Sequence, residues 1–482
     1  MQCLFQLPAR FLIAAVLSGP MAAAQACPPL SDDSAASLSA SDLFGRVAVC
    51  HPDVRAAEQT LAGTRADLLT AAQRPNPQLT LGAVNLSRDL GSGRLWDKTF
   101  DHQVRIDQLI ERGDKPGLRV AAADALRAAA QADLAEVLRQ SRLTTLRNYH
   151  DLRAALARRA ELQATATLYD ESRRALERRV AAGDAAPLDA VRFQLDALRL
   201  QADLRQAVAD ARVLRLQMAS MIGAETQAEQ LTPTPLELSM PKPTPSELTT
   251  PKPTPQESVA LDAASPPANL DRRPDVLAAQ ARLDAARAAR ALARALKTRD
   301  VSVGVQLDRY PVSDTNTSGT GNTLSLVVSI PLFVRHAYEG ENARAEADVN
   351  SAEEVLRRVR VAAQTDVERA SGLRQAAQLR RRLIALELLP AAERVASGAE
   401  LAYRRGASSV LDVLDARRAL RAAYIERITA EADFAKAASE LDAATQSVDL
   451  RNAATQSVNV RSAATQSTAP QNVGTTAALS PP

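Results

Sequence analysis

The sequence predicts an α+β protein made of two similar halves, each a helix, a pair of strands and a very long helix with one break. Three observations predict it. First, His51-Pro52-Asp53-Val54-Arg55-Ala56-Ala57 returns as Arg273-Pro274-Asp275-Val276-Leu277-Ala278-Ala279, an offset of 222. The register then holds: Leu79 to Val84 falls on Val301 to Gln306, and Arg179 to Gly183 meets Ala402 to Gly406 at offset 223. A period this long is far above solenoid periods and reads as a duplicated half-molecule. Second, Leu118 to Val180 contains neither Pro nor Gly, and Leu143, Leu146, Tyr149, Leu152 and Leu156 recur at helical spacing. Third, each half carries two segments near the 9–11 residues with which a tilted strand crosses an outer membrane.

Composition narrows the class. The chain has 482 residues, with 59 Lys+Arg against 56 Asp+Glu, a net charge of +3, and only 3% aromatics. Interspersed opposite charges suit solvated helix faces and speak against a nucleic-acid surface. An Ala-, Leu- and Arg-rich chain favours long helices over a compact mixed core. Arg10, the apolar run Phe11 to Leu17 and the small residues Ala22 to Ala26 read as an export signal over 1–26. The run is too short to span a bilayer, so a membrane location requires a closed barrel. Cys3 leaves with the signal. Cys27 and Cys50 stay in an oxidising compartment, where a disulfide is the default. Lipidation of Cys27 is the alternative, and Ala24 stands where a lipoprotein signal usually has Leu.

In order, the first half occupies 27–222. One helix starts at Ser39 or Ser41 and runs to about Ala72, where Pro75-Asn76-Pro77 stops it. Strands follow at 78–85 and 102–110, around a Gly-rich loop at 89–93. The long helix covers about 118–182 and turns at Gly183, with Asp184 able to cap the next helix, 187–222. Residues 223–269 form a linker, in which Pro-Thr-Pro recurs at 233, 243 and 253, a semi-rigid extended composition. The second half, 270–445, has a helix to about Lys297, strands at Val301–Tyr310 and Thr323–Phe333, a long helix from about Glu341 to Ala402 weakened at Pro390 and Gly398, a turn at Gly406, and a last helix to about Ala444. The tail, 446–482, repeats Ala-Ala-Thr-Gln-Ser and has little to bury.

Enzyme chemistry finds no foothold. His51, His102, His150 and His336 do not pair at ligand spacing, and there is no H-E-x-x-H, G-x-S-x-G or P-loop. The sequence therefore implies no enzyme, metal site or cofactor. Asp412 and Asp415, three apart after a helix turn, share a helix face; the plain reading of such a pair is a solvated surface.

The arrangement resembles the TolC family of outer-membrane channels over roughly residues 40 to 445. The specific marks are Pro75-Asn76-Pro77 before the first strand, Ser329-Ile330-Pro331-Leu332-Phe333 at the end of the last, and the turn Tyr403-x-x-Gly406 followed by Leu411-Asp412-Val413-Leu414-Asp415. Ile110-Glu111-Arg112-Gly113-Asp114-Lys115 resembles a segment of the heavy-metal-efflux branch, with Asp114 and Pro116 as departures. The resemblance implies a homotrimer in the bacterial outer membrane: a twelve-stranded transmembrane barrel, four strands per chain, continued by a periplasmic coiled-coil barrel. It implies that the turns at Gly183, Asp184, Gly406 and Ser408 meet a periplasmic adaptor (membrane fusion protein), that an inner-membrane pump of RND or ABC type drives export, and that no cofactor is used. It also implies that Asp412, Asp415 and Tyr403 form the pore gate. The family's gate places an Arg two residues after the turn glycine. Here that residue is Ser408, leaving Arg404 or Arg405 as the partner expected for Tyr403. Small-solute or metal efflux is the favoured role. Type I protein secretion is the alternative, since Cys27 and Cys50 before His51-Pro52 resemble secretion-type members. A structural periplasmic spacer is the alternative of another class.

Overall fold

The computed structural model describes residues 27, 38–84, 101–183, 186–234, 269–310 and 321–446. The export signal, the loops at 85–100 and 311–320, Asp184, the Pro-Thr-Pro segment from 235 and the tail from 447 lie outside the described residues.

The fold begins with α1 (Ala40–Cys50) and α2 (Pro52–Ala72). Ser39 caps α1: its hydroxyl accepts the Asp42 N–H at 3.2 Å, and the Asp42 carboxylate bonds back to Ser39, a capping box. The single helix expected from Ser39 to Ala72 is two. Pro52 disfavours helical backbone in the residue before it, and His51 accordingly sits at φ −63, ψ 127. It then caps α2, its Nδ1 accepting the Asp53 N–H at 3.3 Å.

Four strands, β1 (Gln78–Val84), β2 (Asp101–Ile110), β3 (Val301–Tyr310) and β4 (Gly321–Ser329), form one antiparallel sheet in chain order. The last strand was expected at Thr323 to Phe333. It starts two residues earlier, and its ladder ends at Ser329, because Pro331, two residues on, has no N–H to give.

The helices dominate. α3 (Lys115–Ala181) has 67 residues, roughly 100 Å at 1.5 Å per residue. α4 (Pro187–Ile222) runs back beside it and ends at Gly223, left-handed at φ 62. After a 3₁₀ turn at Leu270–Arg272 come α5 (Pro274–Ala295), α6 (Glu339–Leu383), α7 (Leu389–Arg404) and α8 (Val410–Thr445). Between α6 and α7 lies one π turn, Ile384–Leu388. Pro390 explains it: the ring would strike the carbonyl four residues back and cannot bond to it, and a widened turn relieves both faults. Gly398, the other expected weak point, passes through α7 without a break.

The core is drawn out along the bundle. One cluster joins α1 to the middle of α3 and the end of α4 through Leu43, Val47, Tyr149, Met218 and Ile222. A second lies at the far end of α3, where Leu162, Tyr169, Phe193, Leu200, Val410 and Leu414 meet. A third packs α5 on α6 through Val276, Leu283, Val349 and Leu356. Tyr149 donates to the Leu38 carbonyl at 3.3 Å, beside the bridge between Leu38 and Pro233, so the start of the linker is tied to the bundle. Cys27 and Cys50 are joined by a disulfide with their Cα atoms 5.6 Å apart. Gly223 makes room for it: a Cβ there would lie 2.8 Å from the Cys27 sulfur.

Candidate functional site

The sheet sorts its side chains by face. Pairing sets Leu79 opposite Ile106 and Ile106 opposite Val305, with Leu326 opposite Val305 in turn. The neighbouring rung is Leu81, Val104, Leu307 and Leu324. One face is thus a continuous aliphatic surface, and it is open: Leu324 and Leu326 are each 72% exposed. The opposite face carries Gln103, Arg105, Asp107, Gln306, Asp308 and Ser325. Arg105 donates to Asp107 at 2.7 Å and Gln306 to Asp308 at 2.9 Å, while Asp308 is only 8% exposed. Leucines outward and paired charges inward reverse the order of a water-soluble sheet and match a membrane barrel wall with a polar lumen. Among the described residues no helix is long and apolar enough to cross a membrane, so the sheet is the described element suited to lipid.

Below the sheet the chain turns into α3 at Gly113 and Asp114, both with positive φ. Asp300, from the second half, accepts from Lys115 Nζ at 2.7 Å and from the Arg112 N–H at 2.9 Å. Lys115 is buried there. The cluster anchors the start of α3 to the segment that enters β3 of the other half. Arg119 bonds both Glu111 oxygens and holds that carboxyl below its ordinary range.

At the far end, α3 turns at Gly183 (φ 83) and α7 at Gly406 (φ 76). Asp184 lies outside the described residues, and α4 has Ala186 at its N-cap, with no side-chain cap bond. The Gly406 N–H bonds to the Tyr403 carbonyl at 3.0 Å and the Ala407 N–H to the Ala402 carbonyl at 2.8 Å, the 5→2 and 6→1 pattern of a Schellman motif. Ser408 donates to the Ala399 carbonyl at 3.4 Å. Ser409 then caps α8. Asp412 accepts from both its N–H and its hydroxyl at 2.9 Å, and those bonds, the backbone one foremost, lower the Asp412 pKa. Asp415 accepts from Arg418 at 2.9 Å. Each of the two acids therefore has a local partner within its own chain while remaining exposed.

Two interactions were not read from the sequence. The first corrects an expectation: neither Arg404 nor Arg405 meets the Tyr403 hydroxyl. Arg179, on the long helix of the other half, donates to it at 2.9 Å and lies over its ring at 5.2 Å. The second is a buried carboxylate. Asp196, 1% exposed, accepts from the Tyr169 hydroxyl at 2.8 Å and from Arg418 Nε at 2.7 Å. The Asp196 bond raises the Arg418 pKa, and burial, with the same carboxylate, pushes the Tyr169 hydroxyl upward. A signal was available, because Asp196 stands on the apolar stripe Phe193, Ala197 and Leu200.

With this geometry in hand, comparison identifies the relatives. Residues 266–471 match the outer membrane efflux protein family. The chain is 24% identical over 431 residues to the cobalt-zinc-cadmium resistance protein CzcC of Cupriavidus metallidurans, covering 88% of this chain and 91% of that protein. Two solved structures share the fold. The CmeC outer membrane channel of Campylobacter jejuni has a TM-score of 0.69 at 13% identity, over 95% of this chain and 98% of that one. The outer membrane protein VceC of Vibrio cholerae has a TM-score of 0.67 at 18% identity, over 87% and 99%. Both of these are outer-membrane proteins by description, and the chain shares their fold.

Proposed function

We propose that this chain is an outer-membrane efflux channel: three copies close their sheets into one twelve-stranded barrel and line up their helices as a periplasmic tunnel, the exit duct of a tripartite pump whose cargo is a divalent transition-metal cation. The observation that carries the reading is the inverted sheet, apolar outside and polar inside, with β1 and β4 at its two edges. A membrane barrel has no edges, so both strands require partners from other copies. The lumen supports passive passage. Its charges are matched locally, as in Arg105 with Asp107, and the described residues hold no cluster of His, Cys, Asp and Glu able to retain a metal.

The tip supplies the remaining parts. Gly183, Asp184, Gly406 and Ser408 mark the turns where a periplasmic adaptor would dock, and an inner-membrane pump, of proton-driven RND type in preference to ABC type, would supply the work. Asp412 and Asp415 from three chains would ring the mouth with six carboxylates and draw cations inward. Tyr403, held by Arg179, would steady the helices that carry them. Metal cargo is favoured by the likeness to a cobalt-zinc-cadmium resistance protein. The test is cell-associated cobalt, zinc and cadmium in a deletion strain with and without the gene restored. Restoration should lower all three or a subset. Unchanged metal content, with export of a drug or a protein lost instead, overturns the metal assignment.

A further inference from the structure

The chain leaving β4 does not become polar where its ladder stops. Ser302 pairs with Ser329, so continuing the register by one residue sets Ile330 level with Val301 and Ile110, the last rung of the sheet. Past that rung the neighbouring strands turn charged at once, with Glu111 and Arg112 on one and Asp300 and Arg299 on the other. The β4 side instead continues with Pro331, Leu332, Phe333 and Val334. The Val334 N–H bonds to the Leu332 carbonyl at 3.1 Å, a three-residue γ-turn. That turn separates the side chains. Phe333 is partly covered, with the Arg299 guanidinium 5.5 Å over its ring and the Tyr338 ring edge-on at 5.2 Å. Leu332 and Val334 stay outside, 72% and 82% exposed.

The result is an aliphatic pair directly below the lipid-facing leucines of β4, bordered by aromatic rings and by the cations Arg299 and Arg335. Arg335 forms no ion pair among the described residues. Aliphatic residues that dip past the boundary, rings at the boundary and cations beyond it are how proteins seat themselves at a membrane–water interface. We propose that Leu332 and Val334 insert into the periplasmic leaflet of the outer membrane, with Arg299 and Arg335 at the level of the phospholipid phosphates. The γ-turn is then a membrane anchor that fixes the depth of the barrel. The inference rests on the outer-membrane reading of the sheet, with which the apolar pair is continuous.

The experiment uses the full channel in vesicles of phosphatidylethanolamine and phosphatidylglycerol with brominated acyl chains. Single cysteines labelled with a fluorophore replace Leu326, Leu332, Val334 or Arg344 in turn; Cys27 and Cys50, bonded to each other, do not react. The expected result is loss of most fluorescence at Leu326→Cys, Leu332→Cys and Val334→Cys, and none at Arg344→Cys on α6, which aqueous iodide should quench instead. Adding Arg299→Gln and Arg335→Gln to Val334→Cys should shift its quenching from brominated lipid toward iodide. If Leu326→Cys is quenched by lipid while Leu332→Cys and Val334→Cys respond to iodide, the anchor is wrong and the barrel stands. If the latter two are shielded from both quenchers, the pair is a contact between chains and the anchor is again overturned. If Leu326→Cys is not quenched by lipid, the barrel reading fails with it. No shift on removing the two arginines refutes their place at the phosphates.

Discussion

Removing Arg418 should open the tip of the helical bundle. The Asp196 side chain is 2% exposed and bonds to Arg418 at 2.7 Å and to Tyr169 at 2.8 Å. Arg418→Met leaves a buried carboxylate with the tyrosine hydroxyl as its remaining described donor. Breaking a buried ion pair by deleting one member costs about 3–5 kcal/mol. The Arg418 side chain is itself 34% exposed, so water can partly replace it and the lower figure, about 3 kcal/mol, is expected. At 1.4 kcal/mol per factor of ten, that raises the population of locally opened tip roughly a hundredfold. Limited trypsin digestion reads this population when opening and closing are fast relative to cleavage. The sites are Arg173, Arg174, Arg178 and Arg179, at the end of α3. Asp196→Asn should do far less, because Arg418 keeps Asp415 at 2.9 Å and its access to water. The asymmetry is the discriminating result. If Arg418→Met is cleaved at nearly the parent rate, or if Asp196→Asn is the more labile, the carboxylate does not depend on the arginine and the argument fails.

Three further outcomes are expected. Burial foremost, with Arg153 beside it, pushes the His150 pKa from 6.5 down to about 4. The native state thus holds this histidine neutral, and its contribution to stability is complete above pH 6.5 and lost as pH falls toward 4, up to about 3 kcal/mol. Denaturant midpoints at pH 7 and 4.5 should lie closer together in His150→Gln than in the parent, and an equal gap would disprove the assignment. The mature chain should carry the Cys27–Cys50 disulfide, closing a loop with a sequence separation of 23 and contributing about 3 kcal/mol in the chain-entropy model. Mass spectrometry that finds a diacylglyceryl group on Cys27 rejects it. Asp412→Asn with Asp415→Asn should abolish cation selectivity and weaken multivalent block in planar bilayers at unchanged helix content, since asparagine still offers Ser409 an acceptor. Selectivity and block that stay as they were would make the pair a solvated helix face.

The legible parts of the fold were those governed by a period. Alternation along Val301 to Tyr310 and the Gly- and Pro-free run after Leu118 define strand and helix by themselves, and α4 spans the expected Pro187 to Ile222. Errors fell where one residue overrides its neighbours. Pro52 breaks the first helix, Pro331 lies just past the shortened end of β4, and Pro390 is absorbed by a π turn although it stood out as a point of fracture. At the tip the turn glycines were readable, because positive φ calls for that residue type. The partners of Tyr403 and Asp196 were not. Arg179 and Arg418 lie more than 200 residues from them in sequence, and helical spacing on one segment says nothing about which arginine another segment presents.

The order of the sheet bears on how the protein reaches its membrane. The β2–β3 joint pairs residues some 200 positions apart, such as His102 with Arg309, so it can close only after most of the chain has emerged and its helices have brought the two hairpins together. Even then β1 and β4 each present a row of backbone N–H and C=O groups that hydrocarbon cannot satisfy, while in water the same two edges invite any passing strand. A lone chain therefore has no comfortable resting place on either side of the bilayer surface. For the proposed three-chain barrel, entry into lipid and encounter with further copies become one kinetic event. The insertion rate should climb more steeply than in direct proportion to protein concentration, and dilution should favour aggregation at the strand edges over a half-built pore.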